Sequence, residues 1–484
     1  MAGVRPAARM QPVVLTDVDD EDASVPDDVP PPDDDGDDRP GADRHRRRRW
    51  WPAAAVAVAL LAAAAVASQV AGRAADARAD AIARVPGLVR PLDGPPVELW
   101  RARVSGRGAV VAAAGVLVTV EETPRAWRVR GHDPADGEVL WSVEATERSR
   151  GAGLDPVVVT CLPGPPAGDV VLCRWTASRP VTGRGGLPVP PTHVLALDGR
   201  DGQRLGAWSV PAPVAALRRV EDDVVVATVD DDRRVRVERR SGPDGTVLWS
   251  HRTSQTLAAR SGSRAGPSLT VAGDVVVLGG PSVTVLEATT GDVVTQEAAG
   301  RRLVVGPLPG GRFATWATGT GALLHGSDGR PASRVPGVPS RLGADDGSLD
   351  LLLSDVGSGV VGLDPASTEV AWRLPTVQSP VAVVDGAVVL WGDDAVGVAD
   401  GAQGRLLWEQ ALGEAVPFAP VTDGRLVIAA EPDGLGGRAL VGRGLRDGVR
   451  VWSAPLPAGV TGLEGVGGVL VARTDGEAVV LGRP

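Results

Sequence analysis

From residue 97 onward the apolar positions fall in short, turn-bounded runs and not in helical stripes. In Val383-Val384-Asp385-Gly386-Ala387-Val388-Val389-Leu390 two groups of Val, Ala and Leu flank an Asp-Gly pair, the pattern of two strands joined by a tight turn. The runs are too short to carry a 3.6-residue period, which excludes helical repeats. First hairpins of this kind turn near Gly115, Gly168, Asp222, Gly273, Gly310, Gly347, Gly386, Gly424 and Gly467. Each is followed by a third β-branched run and, in all but the last copy, by a fourth run, usually bearing Trp. The expectation is an all-β chain of repeated four-strand units.

The fourth run is marked. Gly precedes Trp by four residues at Gly137/Trp141, Gly245/Trp249, Gly404/Trp408 and Gly448/Trp452, with Thr368/Trp372 as a variant. Trp100 and Trp208 end looser copies, while Thr295 and Ser333 take the place of Trp after Gly291 and Gly329. Four short strands, repeated at this spacing, are the signature of β-propeller blades. The last copy stops after three strands. Val97-Glu98-Leu99-Trp100-Arg101, which has no hairpin of its own, supplies the fourth, and joining the chain ends in this way removes the free sheet edges of the terminal blade.

These copies resemble the PQQ-type repeat of quinoprotein-like β-propellers. Its pattern of Leu-Asp, a Gly turn and a strand-four Trp stands in Ala196-Leu197-Asp198, Gly202 and Trp208, and again in Gly362-Leu363-Asp364 and Trp372. The resemblance spans 97–484. It implies eight blades where the hairpin count gives nine, so a β-propeller of eight to nine four-stranded PQQ-like blades is expected. It also implies that Trp100, Trp141, Trp208, Trp249, Trp372, Trp408 and Trp452 pack between neighbouring blades. One such side chain buries roughly 150–250 Å², which accounts for 13 Trp in a chain with 2 Phe and no Tyr.

The first 96 residues are of a different kind. Residues 1–49 are Asp- and Pro-rich and nearly free of large apolar side chains, so they cannot offset the entropy of ordering and are expected to be a disordered tail. The acidic run 33–38 lacks the ligand spacing and distal Glu of a calcium loop. Arg44 and Arg46–Arg49 then precede 50–72, 23 residues without a charge. That is long enough to cross a hydrocarbon core of about 30 Å, with Trp50 and Trp51 at the interface and the arginines holding the N-terminus in the cytoplasm. A single uncleaved transmembrane helix is favoured. A buried soluble helix, or a signal segment cleaved at Val66-Ala67-Ser68, are the alternatives. Residues 73–96 read as a juxtamembrane linker, and 97–484 as an extracytoplasmic propeller. The strand beginning at Val97 starts on the face of the A–B and C–D turns, so that face is expected nearer the membrane.

Composition removes several chemistries. There is no Lys, so no P-loop lysine and no Schiff base, and no Asn. A net charge of −10 disfavours nucleic acid as a partner. The resemblance suggests PQQ-dependent dehydrogenases, whose cofactor site uses a vicinal Cys-Cys disulfide, Asn among its calcium ligands and basic contacts that often include Lys. Here the two cysteines, Cys161 and Cys173, are apart in sequence, and Asn and Lys are missing. The cysteines lie on two strands of one hairpin, which an exported domain would oxidise to a disulfide; two buried thiols are the alternative. Gly357-Ser358-Gly359-Val360-Val361-Gly362 matches a dinucleotide fingerprint, but a strand follows it where a helix is required. No histidine set has metal spacing, and no catalytic, cofactor or metal residues are assigned.

Long insertions at 144–155, 176–193, 251–266 and 432–438 all belong to D–A or B–C connections, hence to one face. They carry Arg148, Arg150, Arg179, Arg184, Arg252, Arg260, Arg264 and Arg438. This basic rim on an acidic protein reads either as a face for a protein or anionic envelope component or as ordinary solvated loops. The function favoured is a membrane-anchored, non-catalytic binding or envelope-assembly scaffold. A ligand-sensing cell-surface receptor is the alternative, and a PQQ dehydrogenase the third class.

Overall fold

The computed structural model describes residue 77 and residues 81–483 except 106–109, 149–156, 166–167, 177–189, 212–213, 231, 233, 257–266, 280–281, 299–302, 318 and 414–415. These belong to one compact unit, Gly72–Pro484. The expected tail and transmembrane segment lie outside the described residues, among which no helix is long and apolar enough to cross a membrane.

The strands form nine antiparallel sheets of four, each in the order A-B-C-D. Blades 1 to 8 span 111–147, 160–210, 214–256, 268–298, 304–335, 338–374, 379–411 and 421–455. Blade 9 takes strands A to C from 462–482 and its D strand from Val97–Arg103, which pairs antiparallel with Glu477–Gly482. The hairpin count of nine therefore holds over the family expectation of eight. The nine sequence-marked turns are the nine A–B connections. Blade 7 gains a short parallel partner, Ala344–Asp345, from the A–B loop of blade 6.

The core lies between the blades. Among the described residues nine apolar clusters occupy the nine joints, from the blade 1/2 cluster of Val118, Trp127, Trp141 and Leu195 round to the blade 9/1 cluster of Trp100, Leu117 and Val480. Middle strands are covered on both sides, so their sequences are unbroken apolar runs such as Val275–Gly279, buried throughout. Outer D strands show the alternating exposure of Val139–Glu147, with Trp141 buried among exposed neighbours.

A β-bulge recurs in every C–D ladder. In blades 1, 3, 4, 5, 6, 7 and 8 the unpaired residue is the one before the marker, as Leu140 is before Trp141, and in blade 9 it is Leu99 before Trp100. Blade 2 places it earlier, at Leu205. An extra residue bends the strand and re-aims the next side chain. The bulge thus turns the indole out of its own sheet towards the next blade.

Candidate functional site

Where the indole lands is specific. The Nε1–H of Trp100, Trp141, Trp208, Trp249, Trp372 and Trp408 donates to a carbonyl in the C–D turn of the following blade. The acceptors are Pro134, Gly199, Gly242, Ala288, Gly401 and Leu445, at 2.7–3.0 Å. Each ring packs directly against a turn glycine with positive φ: Gly137, Gly202, Gly245, Gly291, Gly404 and Gly448. A Cβ on any of these would fall 2.3–2.7 Å from indole atoms, so the contact excludes every other residue. Each staple joins hydrophobic burial, a satisfied indole N–H and a close backbone approach.

Some turns are braced from below. In blades 1, 3 and 8 the C-strand residue five before the turn glycine reaches its carbonyl. His132 Nδ1 stands 3.2 Å from Gly137 O, Arg240 donates to Gly245 O at 3.2 Å, and Arg443 donates to Gly448 O at 2.9 Å. His132 stacks on Trp100 and Arg240 lies over Trp208. The two arginines are held by the buried carboxylates Glu238 and Glu431. Burial pushes the His132 imidazole below its ordinary pKa, so it is held neutral.

Three joints lack the staple. Thr295 and Ser333 leave no indole for blades 5 and 6. In blade 6 the turn position is Thr368, in the left-handed conformation at φ 61. At the joint between blades 8 and 9, Trp452 is present and buried, yet its Nε1 has no acceptor among the described residues. The reason is topological: blade 9 has no C–D turn, because its C and D strands come from opposite ends of the chain.

Cys161 and Cys173 are joined by a disulfide between directly opposed positions of the A and B strands of blade 2. Both are fully buried in the blade 1/2 cluster. The bridge fixes a short inner strand, Thr160–Leu162, which is followed by a Pro- and Gly-rich turn.

Of the insertion-face arginines, Arg148, Arg252 and Arg438 fall within the described residues; Arg438 opens the blade 8 C strand, and Arg148 and Arg252 are held in ion pairs. Arg148 pairs with Glu122 at 2.8 Å, and Arg252 with Asp230 at 2.5 Å and Asp232 at 3.0 Å. Hydrogen bonds to these two aspartates raise the Arg252 pKa further. Arg150, Arg179, Arg184, Arg260 and Arg264 lie outside the described residues. Among the described residues no cluster of His, Cys, Asp and Glu could hold a metal ion. A cavity of about 610 Å³ opens at the centre of the ring, walled by inner strands and turns of blades 1, 2, 6, 7, 8 and 9 and by residues 83–87. Sequence reading found the indoles and their glycines. It missed the bulges, which have no residue signature, and the role of residues 83–93, which looked like linker.

The family model described as outer membrane protein assembly factor BamB matches residues 125–304 and 356–483. No curated protein matches the chain. Among solved structures, BamB from Moraxella catarrhalis is similar at 18% identity and TM-score 0.43, over 80% of this chain and 100% of that one. The quinohemoprotein alcohol dehydrogenase from Comamonas testosteroni is similar at 12% identity and TM-score 0.43, over 84% and 80%. A europium-containing methanol dehydrogenase is similar at 11% identity and TM-score 0.41, over 80% and 93%. With a ring of PQQ-type blades and a family match over more than half of its length, the chain belongs to the family of the outer membrane protein assembly factor BamB.

Proposed function

We propose that the chain is an envelope-assembly scaffold: an extracytoplasmic propeller, anchored by residues 50–72, that binds proteins and catalyses no reaction. The observation that carries this reading is membership of an assembly-factor family. The Cys161–Cys173 bridge supports it, because disulfides persist in oxidising compartments outside the cytoplasm. So does the uncharged run behind five arginines. The D–A and B–C strand ends from which the insertions leave share one face of a rigid ring, the usual place for a loop-on-scaffold binding surface.

Cross-linking in membranes followed by pull-down tests the scaffold: capture of envelope-assembly proteins supports it. Turnover in a dye-linked alcohol or sugar oxidation assay with added PQQ and calcium would overturn it. Protease added to intact cells should remove the propeller and spare residues 1–49, whereas recovery of the full-length chain in the soluble fraction contradicts the anchor. Because Arg148 and Arg252 are already paired with carboxylates, charge reversal at Arg184 and Arg264 is the sharper test of an anionic partner. Weaker binding with a shallower salt dependence is expected. The central cavity favours the second reading, a ligand-sensing receptor, which requires a small molecule that raises the melting temperature in a concentration-dependent way.

A further inference from the structure

We propose that residues 82–93 are the latch that closes the ring between blades 8 and 9, doing there what an indole on a turn does at the stapled joints. That joint cannot be stapled: blade 9 has no C–D turn to receive Trp452, whose Nε1 is buried without an acceptor among the described residues. The segment crosses this same joint. Val89 N–H donates to Thr422 O of blade 8 at 3.1 Å, and the next amide, Arg90 N–H, donates to Gly468 O of blade 9 at 2.8 Å. Two consecutive residues are thus tied to two different blades by backbone bonds.

Side chains repeat the pattern. Leu88 and Val89 are 0% and 1% exposed. Leu88 belongs to the cluster between blades 7 and 8, Val89 and Leu92 to the one between blades 8 and 9. Leu92 N–H donates to the fully buried carboxylate of Asp423 at 2.8 Å. The other oxygen of that carboxylate receives Arg425 N–H and Leu426 N–H, holding the blade 8 turn. Asp93 then pairs with Arg425 of blade 8 and, at 3.5 Å, with Arg483 at the end of the blade 9 C strand. An ordinary linker would leave its apolar residues and amides to solvent. Here Ile82, Val85 and Leu88 seat the segment in the neighbouring blade 7/8 cluster. Val89, Leu92 and the amides of Val89, Arg90 and Leu92 are committed to the joint whose indole has no turn to land on.

Hydrogen exchange of the full-length chain, read peptide by peptide, tests the latch. Val89→Asp places a charge in the joint cluster, and Asp93→Ala removes only the two ion pairs. Both should speed exchange in 421–428 and 469–482, Val89→Asp by roughly tenfold or more, while blades 2 and 3 keep their wild-type rates. Unchanged exchange in blades 8 and 9 in both variants overturns the latch, as does an equal increase in all blades. If Val89→Asp does not fold, Asp93→Ala decides, with local acceleration supporting the latch and none refuting it.

Discussion

The joint between blades 1 and 2 and the joint between blades 8 and 9 close the same ring by different means. At the first, Trp141 lies on Gly202 and donates to Gly199 O at 2.9 Å. At the second, Trp452 is equally buried, but the turn it would land on does not exist, and residues 88–93 are laid across the gap. The bulge and the indole are properties of one blade; the acceptor is a property of the next. Repetition secures each joint only where the chain runs on through both blades, and at the point of closure something outside the repeat must substitute.

The largest contrast should come from glycine. Gly202→Ala drives a Cβ to 2.7 Å from the Trp141 ring, whereas at Gly115, with a similar positive φ, a Cβ meets nothing within 4 Å. Gly202→Ala is expected to cost about 3–5 kcal/mol, comparable to deleting a buried aromatic, and Gly115→Ala about 1–2 kcal/mol from the left-handed backbone alone. Denaturant unfolding of the two variants measures both. Equal losses would mean that backbone conformation, and not the indole, demands the turn glycine.

Trp→Phe at the two joints isolates the hydrogen bond. Trp141→Phe leaves Gly199 O without its donor, while Trp452→Phe removes an N–H that has no acceptor among the described residues. The first should cost about 1 kcal/mol more than the second. Matching losses would place a hidden acceptor at Trp452.

Thr368 sharpens the comparison from the other side. It keeps the left-handed turn at φ 61, and it follows a blade whose marker is Ser333, so no indole presses on it. Thr368→Gly should stabilise the chain by about 0.5–1 kcal/mol, the strain relieved less the entropy of an added glycine. Ser333→Trp is expected to be tolerated better alongside Thr368→Gly than alone, and a double-mutant cycle reads the coupling.

The smallest effect is one of pH. His132 has its pKa lowered by burial, so the folded chain stays neutral there while the unfolded chain takes up a proton near pH 6.5. The unfolded state therefore binds more protons below that point, and stability falls as pH drops from about 6.5 towards the depressed folded value. His132→Gln should flatten this slope in melting curves taken between pH 7 and 5, and an unchanged slope would assign it elsewhere.

Nearly everything periodic was legible in the residues. The Gly–Trp spacing located the staples, the Asp-Gly and Gly turns located the A–B connections, and the orphan strand at Val97 announced the closure. The latch was not legible, because its apolar residues Leu88, Val89 and Leu92 stand among Pro86, Pro91, Pro95 and Pro96 and its partners lie far along the chain, 331 residues away for the Leu92–Asp423 bond. The ion pairs of Arg148 and Arg252 were hidden for a related reason. Their acceptors Glu122, Asp230 and Asp232 stand in or beside the neighbouring B–C loops of the same blades, and charge counting over the insertions alone does not include them.

The pairing of Val97–Arg103 with Glu477–Gly482 also sets a schedule. Arg101 and Glu477, ion-paired in the finished sheet, are 376 residues apart. At synthesis rates of about 5–20 residues per second, the first strand waits roughly 20–80 s for its partner. Throughout that interval it is an unpaired edge bearing Leu99 and Trp100, open to pairing with the wrong chain. Blades 1 to 8 can assemble in order as they emerge, but the ninth and the circle with it wait for the final segment. A chain cut short of residue 477 is therefore not a smaller propeller but an open one.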